Sequence, residues 1–151
     1  MIGIKINAAK TKFFDRVIIT TENRATIKAL SRMGAFIRTS ARSSIRKAGK
    51  KGKTSKPGQP PRSQTGLLKK HIYFGYEGSN RSVVVGPARL GGTSQPESVE
   101  TLEHGGNATI TSGRKNPKTR VVPIEARPYM GPAMQKNLPK FPSLWANTFR
   151  P

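Results

Sequence analysis

Between Glu22 and Glu77 the chain has no acidic residue, although this stretch holds half of all its Lys and Arg residues. The whole chain has 28 basic and 7 acidic residues, which gives a formal net charge of +21 over 151 residues. A compact chain with this charge repels itself and attracts polyanions. The sequence therefore predicts a nucleic acid or an acidic protein surface as a partner. The alternative is a solvated basic face, which mixed-sign surfaces provide with far less excess charge.

The length suits one domain, or one domain with extensions. Hydrophobic residues make up 34% of the chain, so the core must be small and much of the chain is expected in loops or subunit contacts. The chain has no Cys, which excludes disulfides, thiolate metal sites and Cys nucleophiles. No apolar run approaches the ~20 residues of a membrane span, and residues 1–6 lack the apolar segment of a secretory signal. We therefore expect a soluble protein in a cytoplasm-like compartment, without a membrane partner.

Residues 22–47 are predicted to form a long amphipathic helix, because apolar residues recur there at spacings of three and four. Basic residues cover an arc of roughly 120° on the opposite side. Like charges at four-residue spacing cost stability, so the lack of Glu on this helix suggests that a partner supplies the anions. The apolar stripe contains Ile27, Leu30, Met33, Ile37, Ala41 and Ile45, and the basic stripe contains Arg24, Lys28, Arg32, Arg38, Arg42 and Arg46.

The segments around this helix are less regular. Residues 2–6 alternate in the manner of a short strand, whereas residues 13–21 fit either a strand or a helix. Residues 48–64 consist largely of Gly, Pro, Ser and Lys, which predicts a flexible basic loop that is not ordered without a partner.

A β-hairpin is predicted next, because residues 68–74 alternate after Thr65-Gly66 and residues 82–86 return after a turn at 77–80. Residues 99–106 fit a helical turn or a strand, and residues 107–119 are interpreted as a second polar, basic loop. Residues 120–125 predict a strand that Pro123 restricts to an edge or a bulge. Residues 129–137 predict a C-terminal helix, and Pro139 ends its regular part.

The C-terminal segment 139–151 is unusually apolar for a chain end. A small domain rarely leaves such large side chains in water. They are expected either to fold back onto the core or to dock on a neighbouring subunit, and the candidates are Phe141, Leu144, Trp145 and Phe149.

Catalysis has little support in the residues, and we expect no enzymatic activity and no cofactor. Glu100, Glu103 and His104 lie together, but at a glycine-rich turn and without a nucleophile motif. No metal triad, phosphate-binding loop or dinucleotide fingerprint is found in the sequence. Glu103-His104 is therefore interpreted as a structural turn element, and His71 as a strand residue.

Nucleic-acid binding is supported by charge but not by a base-reading motif. Aromatic residues are not interleaved with the basic run, so the pattern indicates contacts to the phosphate backbone without sequence readout. The candidates for a surface facing DNA or an acidic protein are the basic stripe together with Lys47, Lys50, Lys51, Lys53, Lys56 and Arg62.

Three short segments, taken in order, resemble the neck and tail-completion (head–tail joining) proteins of tailed bacteriophages. They are Pro-Pro-Arg-Ser-Gln-Thr-Gly-Leu-Leu-Lys at 60–69, which opens a strand, Val-Gly-Pro at 85–87 followed by Leu-Glu-His-Gly-Gly at 102–106, and Ala-Arg-Pro-Tyr-Met-Gly-Pro-Ala-Met at 126–134. The resemblance covers roughly residues 15–138, and His104 stands where the family often has an aromatic residue. Its markers are Thr65, Gly66, Leu67, Gly86, Glu103, Gly105, Gly106, Arg127, Pro128, Tyr129, Pro132 and Ala133.

The resemblance implies a single α+β domain over 1–138, in which a long N-terminal helix and a C-terminal helix pack on a small antiparallel sheet. It also implies a structural virion protein, assembled in the host cytoplasm, that forms a six-fold or twelve-fold ring at the head–tail junction. Its expected partners are its own copies, the connector or adaptor, tail-tube or tail-terminator proteins, and double-stranded DNA bound without sequence preference. The basic stripe 24–46 or the loop 47–62 would face the DNA channel or the acidic surface of the connector.

A second interpretation is a sequence-nonspecific nucleic-acid-binding protein of the ribosome- or nucleoid-associated type. It shares the charge and the basic loop, but needs neither the Arg-Pro-Tyr helix start nor an apolar C-terminal segment. A nuclease is a third interpretation, and it would need a metal cluster that the scattered carboxylates do not suggest.

Overall fold

The computed structural model describes residues 8–48, 54–88, 97–112 and 118–148 of the chain. The predicted strand at 2–6 lies outside these residues, as do Lys50, Lys51, Lys53 and Phe149. A long N-terminal helix, small antiparallel sheets and a C-terminal helix are present, which confirms the predicted α+β class. The elements in chain order are α1 (Ala8–Ser44), β1 (Arg46–Lys47), β2 (Arg62–Ser63), α2 (Leu67–Lys70), β3 (Ile72–Glu77), β4 (Ser82–Pro87), α3 (Glu97–His104), β5 (Gly106–Ser112), β6 (Lys118–Ile124), α4 (Met130–Asn137), a 3₁₀ turn (Leu138–Lys140) and α5 (Phe141–Ala146).

Helix α1 is longer than predicted at its start and ends three residues earlier than predicted. Residues 13–21, which fitted either a strand or a helix, are helical. The buried residues of α1 recur four residues apart, as one face of a helix requires, and they include Ala25, Ala29, Met33, Ile37 and Ala41. The predicted apolar stripe was partly wrong, because Ile27 is 42% exposed and Leu30 is half-buried.

The β3–β4 hairpin packs closely against α1 at Gly34. A Cβ atom added to Gly34 would lie 2.7 Å from Val83 Cγ2 and 3.0 Å from Phe74 Cδ2. The helix and the hairpin therefore approach more closely than ordinary side chains allow.

The core lies where the C-terminal half of α1 meets β3 and α4. Ile45, Ile72 and Tyr129 are at most 1% exposed and are packed with Ile37, Ala41 and Ala133. A ring of half-buried side chains surrounds this cluster, namely Leu68, Val85, Leu102, Met130 and Phe141. The cluster and the side chains around it come from the five described α-helices and from β3 and β4, so this small core joins the helices to the first hairpin.

The predicted hairpin is present, but it begins later than expected. Residues 67–70 were predicted as the start of a strand, whereas they form the short helix α2. Gly66 precedes it with φ +77, a conformation that glycine adopts readily, and its N–H donates to Ser63 Oγ at 2.8 Å. Strand β3 then pairs with β4 in antiparallel register from Ile72 opposite Pro87 to Glu77 opposite Ser82.

A second antiparallel hairpin joins β5 and β6, and it corrects the prediction for residues 107–119. This segment was interpreted as a polar loop, but Asn107–Ser112 and Lys118–Thr119 belong to paired strands. Its threonines are β-branched and favour strands despite their polarity. Pro123 is tolerated because, among the described strands, β6 pairs with β5 alone.

The C-terminal segment folds back onto the core in part. Helix α4 leads through the 3₁₀ turn into α5, so Phe141–Ala146 of this segment are helical. Phe141 packs against the core cluster, and Leu144 is half-buried. Trp145 remains 38% exposed.

Residues 54–64 are attached to the rest of the domain, in contrast to the prediction of a loop ordered only by a partner. Gly58 N–H donates to the Ala126 carbonyl at 2.8 Å, and Ala48 N–H donates to the Ser63 carbonyl at 3.0 Å. Strands β1 and β2 pair in parallel, with Arg46 opposite Arg62. This pairing brings two segments of the basic stretch side by side.

Candidate polyanion-binding surface

The basic stripe of α1 has an exposed part and an engaged part. Arg24, Lys28 and Arg32 are exposed. Arg38 is half-buried, and its Nε donates to the Ile72 carbonyl at 2.9 Å while its guanidinium carbon lies 5.9 Å from the centre of the Tyr73 ring. Arg38 therefore ties α1 to β3, and only part of the predicted stripe is free to bind a partner.

A second group of basic residues lies around the β1–β2 pair. Arg46, Lys47, Lys56 and Arg62 are exposed, and Arg42 is half-buried at the end of α1. Residues directly opposite in neighbouring strands are about 5 Å apart, and like charges at such positions are destabilising. In the part of the chain that the structure describes, neither Arg46 nor Arg62 makes an ion pair or a side-chain hydrogen bond. Their charges are left for a partner.

Among the described residues, Arg46 borders two depressions. One has a volume of about 490 Å³ and is lined by Arg46 and Arg62 together with Ser43, Ser44, Ser55, Gln59 and Pro60. The other has a volume of about 360 Å³ and is lined by Arg46, Lys47 and Lys69 together with Ser63, Gln64, Thr65 and Gly66. Arg46 borders both, and no carboxylate is among the described residues that line either of them. Both depressions are therefore cationic and rich in hydrogen-bond donors.

Two carboxylates in the described part of the chain, those of Glu77 and Glu103, make hydrogen bonds that stabilise local structure. Glu77 accepts hydrogen bonds from the hydroxyls of Ser79 at 3.5 Å and Ser82 at 3.2 Å, next to the β3–β4 turn. Glu103 is occupied by the start of α4. Neither carboxylate neutralises the surface around β1 and β2.

Glu103 is the N-terminal cap of α4, supplied from another helix. Its Oε2 accepts hydrogen bonds from the N–H groups of Tyr129 at 2.9 Å and Met130 at 3.1 Å, and its Oε1 accepts one from Gly131 at 2.8 Å. The residue at the N-cap position is Tyr129, which has no capping side chain. A carboxylate at this end also favours the helix dipole.

The turn after α3 brings Glu103 into this position. Gly105 has φ +80, and its N–H donates to the Thr101 carbonyl at 2.7 Å. A Cβ atom there would lie 3.1 Å from the Ala126 backbone nitrogen, so the site needs glycine for both its conformation and its space. Arg127 N–H donates to the Leu102 carbonyl at 2.7 Å, which ties the segment before α4 to α3.

The remaining markers of the resemblance are structural in different ways. Tyr129 is 1% exposed, and its burial together with the nearby Glu103 charge raises its pKa to about 12. Ala133 is buried beside it, whereas Leu67 and Pro132 are exposed. Thr65 Oγ1 accepts a long hydrogen bond from Leu67 N–H at 3.4 Å. Gly86 lies in β4, and Gly106 begins β5 with φ +131. Pro128 is half-buried and precedes Tyr129 in the chain.

Sequence reasoning missed two residues that the structure makes prominent. Ser55 is 7% exposed, and its Oγ has no hydrogen-bond partner among the described residues. No pattern in the loop sequence marks it, because its burial depends on the distant Ala126-Arg127 segment. Lys69 joins the second depression only because residues 67–70 are helical. The capping role of Glu103 could have been suspected, since the segment that opens α4 has no Ser, Thr, Asp or Asn.

Two searches of the described residues gave negative results. No group of three or more His, Cys, Asp or Glu side chains is placed so as to hold a metal ion there. Among the helices described, none has the length and hydropathy needed to cross a bilayer. Comparison of the chain with protein-family models, with characterised proteins and with solved structures gave no match.

Proposed function

We propose that this chain is a structural protein of the neck of a tailed bacteriophage, which forms a ring at the head–tail junction and contacts the DNA that passes through it. The observation that carries the proposal is the convergence of the motif segments on one core. Leu68, Val85, Leu102 and Tyr129 represent all three motif segments, and all belong to the core cluster or pack against it. The resemblance therefore lies in residues that determine the fold, as expected for relatives that share an architecture.

The free basic surface supports a polyanion as one partner in this role. A ring of many copies repeats the charge of each chain around one axis, which is costly unless DNA or an acidic neighbour neutralises it. The cations around β1 and β2 have no described acidic partner, so they are available for this purpose. The exposed Arg24, Lys28 and Arg32 add a second basic region on α1.

Exposed apolar side chains near the C-terminus support contact with other protein subunits. Met134, Leu138 and Trp145 are each 38% exposed on the consecutive helices that close the chain. A ring needs such self-complementary or head-to-tail surfaces, whereas a free DNA-binding protein does not.

The mass of the purified full chain, measured by light scattering, tests the proposal. The measurement is made alone and with the connector and tail-tube proteins encoded by the same genome. A closed six-fold or twelve-fold oligomer, or a monomer that becomes one only on the connector or tail, is the expected result. A monomer that ignores both proteins but binds DNA with a steep salt dependence would instead favour the nonspecific nucleic-acid-binding interpretation.

A further inference from the structure

The larger depression beside β1 and β2 lies at the C-terminal end of α1, where residues 55–62 run past the helix. We call it the Arg46–Arg62 cleft. Its volume of about 490 Å³ is in the range of pockets that bind small groups. It can therefore accept one chemical group of a partner, but not a whole duplex.

Ser55 is the first sign that the cleft binds something. A buried hydroxyl normally has a hydrogen-bond partner, and leaving one without a partner is costly. Ser55 Oγ is the single buried side-chain nitrogen or oxygen without a partner among the described residues. Its backbone is fixed, because the Ser55 carbonyl accepts a hydrogen bond from Arg127 Nε at 3.2 Å. Ser55 is among the residues that line the cleft.

The pairing of Arg46 with Arg62 is the second, independent sign. The parallel register sets these two residues opposite each other, and both line the cleft. The C-terminal end of α1 carries a partial negative charge that favours one nearby cation. It does not account for a second arginine brought from 16 positions further along the chain. An anion held between the two guanidinium groups would relieve their repulsion.

The donors in the cleft match a phosphate group. Arginine presents several N–H groups in a planar fork that suits the oxygens of phosphate. A serine hydroxyl and the Gln59 amide add neutral donors for the remaining oxygens. Ser43 and Ser44 already donate to the carbonyls of Ser40 and Ala41, so they are not counted as donors to the ligand.

We infer that Arg46, Arg62 and Ser55 form a binding site for one phosphate of a nucleic-acid backbone. The second depression favours a polynucleotide over a single phosphate, because it continues the cationic surface on the other side of Arg46 with Lys47 and Lys69. Successive phosphates of one strand can occupy both depressions, which a monophosphate cannot do. The inference rests on the proposed function, which supplies DNA as the source of the phosphate. It assigns one contact of the basic surface to three named residues.

The test compares three variants of the full chain in binding to a short fluorescent DNA duplex at several salt concentrations. Arg62→Gln removes one guanidinium, Ser55→Ala removes the hydroxyl at constant charge, and Lys136→Gln removes one exposed charge on α4 that does not line the cleft. We expect Arg62→Gln to weaken binding about tenfold and to reduce the slope of log affinity against log salt by about 1. Ser55→Ala is expected to weaken binding about threefold without changing that slope, and Lys136→Gln is expected to weaken it less than about twofold.

The melting temperature without DNA separates a binding role from a structural one. Ser55→Ala is expected to keep or raise it, because a hydroxyl without a partner is removed. A lower melting temperature for Ser55→Ala with unchanged DNA affinity would overturn the inference. Equal losses of affinity for Arg62→Gln and Lys136→Gln would also overturn it, because the contact would then be diffuse.

Two further measurements identify the source of the anion and separate this inference from the proposed function. Inorganic phosphate that stabilises the wild type, but not Arg62→Gln, while DNA affinity is the same for both would indicate free phosphate and overturn the assignment to a nucleic-acid backbone. Arg62-dependent binding to the acidic connector protein without binding to DNA would overturn the phosphate assignment. Failure of the wild type to assemble on connector or tail, with DNA affinity still dependent on Arg62, would remove the neck proposal and leave the site supported.

Discussion

At the scale of single residues, Glu103 shows how one carboxylate supports the fold of a chain that has very few. Its two oxygens accept hydrogen bonds from three backbone N–H groups at the start of α4. These N–H groups have no partners within a helix, and the local sequence offers no side chain to replace Glu103. The same carboxylate lies beside the buried Tyr129, whose pKa is raised to about 12 by burial and by the Glu103 charge.

Glu103→Gln is expected to lower the free energy of unfolding by about 1–2 kcal/mol, because it removes the negative charge and one of the two acceptor oxygens. Chemical denaturation at neutral pH measures the change. Glu100→Gln is the matched control, since Glu100 is exposed in the same helix and its replacement changes the net charge equally. Equal effects of the two variants would show that the loss comes from net charge and not from the cap.

At the scale of secondary-structure elements, the sequence predicted those elements whose apolar residues repeat regularly. The helix over 22–47 and the C-terminal helix at 129–137 were predicted from a spacing of three and four, and the β3–β4 hairpin from alternation. The strand was predicted to begin too early, because Leu68 and Ile72 both reach the core although Leu68 lies in α2 and only Ile72 lies in β3. Gly66 with positive φ marks that break, and this conformation cannot be deduced from alternation.

Contacts between distant segments account for the elements and site residues that the sequence did not predict. Strand β5 and the first residues of β6 are polar, so only their pairing with each other identifies them, whereas residues 120–125 were predicted as a strand from their sequence. The order of residues 54–64 depends on hydrogen bonds to Ala126 and Arg127, more than 60 positions away in the chain. The sequence alone identified the basic residues, but it did not show which of them are exposed and which contact the rest of the domain. Arg38 is engaged because the Ile72 carbonyl lies within reach of its Nε.

The packing of α1 on the hairpin leads to a prediction at this scale. Gly34→Ala should gain about 1 kcal/mol in helix propensity, but its Cβ would lie 2.7 Å from Val83 Cγ2. Valine is stiff at χ1 and cannot easily move aside, and overpacking costs about 1–3 kcal/mol. We therefore expect a net loss of up to about 2 kcal/mol in the free energy of unfolding.

A double-mutant cycle with Val83→Ala tests this explanation. Truncating Val83 removes the closest clash and leaves the tight contact to Phe74 Cδ2 at 3.0 Å, so Gly34→Ala should cost clearly less than it does in the wild type. Denaturation of the wild type, the two single variants and the double variant gives the coupling energy. A loss for Gly34→Ala that is the same in both backgrounds would show that the Val83 side chain does not limit the space at this position.

At the scale of the whole molecule, a small core holds together a chain with a formal charge of +21. Its buried residues lie mainly between α1, the β3–β4 hairpin and α4, whereas most of the described cations lie outside this region. Repulsion among these cations opposes compaction. The fold is therefore expected to be more stable when mobile anions or a polyanion screen the charge.

Raising the NaCl concentration from about 20 mM to about 500 mM at neutral pH should therefore stabilise the protein. The Debye length falls from ~20 Å to ~4 Å, so repulsion between separate basic regions is largely lost. We expect a gain on the order of 1 kcal/mol, or roughly 3 °C in melting temperature for a chain of this size. A variant with charge reversals to Glu at Lys118, Arg120 and Lys136, all exposed, should show a smaller rise because it begins with less repulsion. A melting temperature that falls with salt, or a rise that is the same in both proteins, would mean that repulsion within the basic surface does not oppose folding. The free energy of folding would then give no reason to expect an anionic partner.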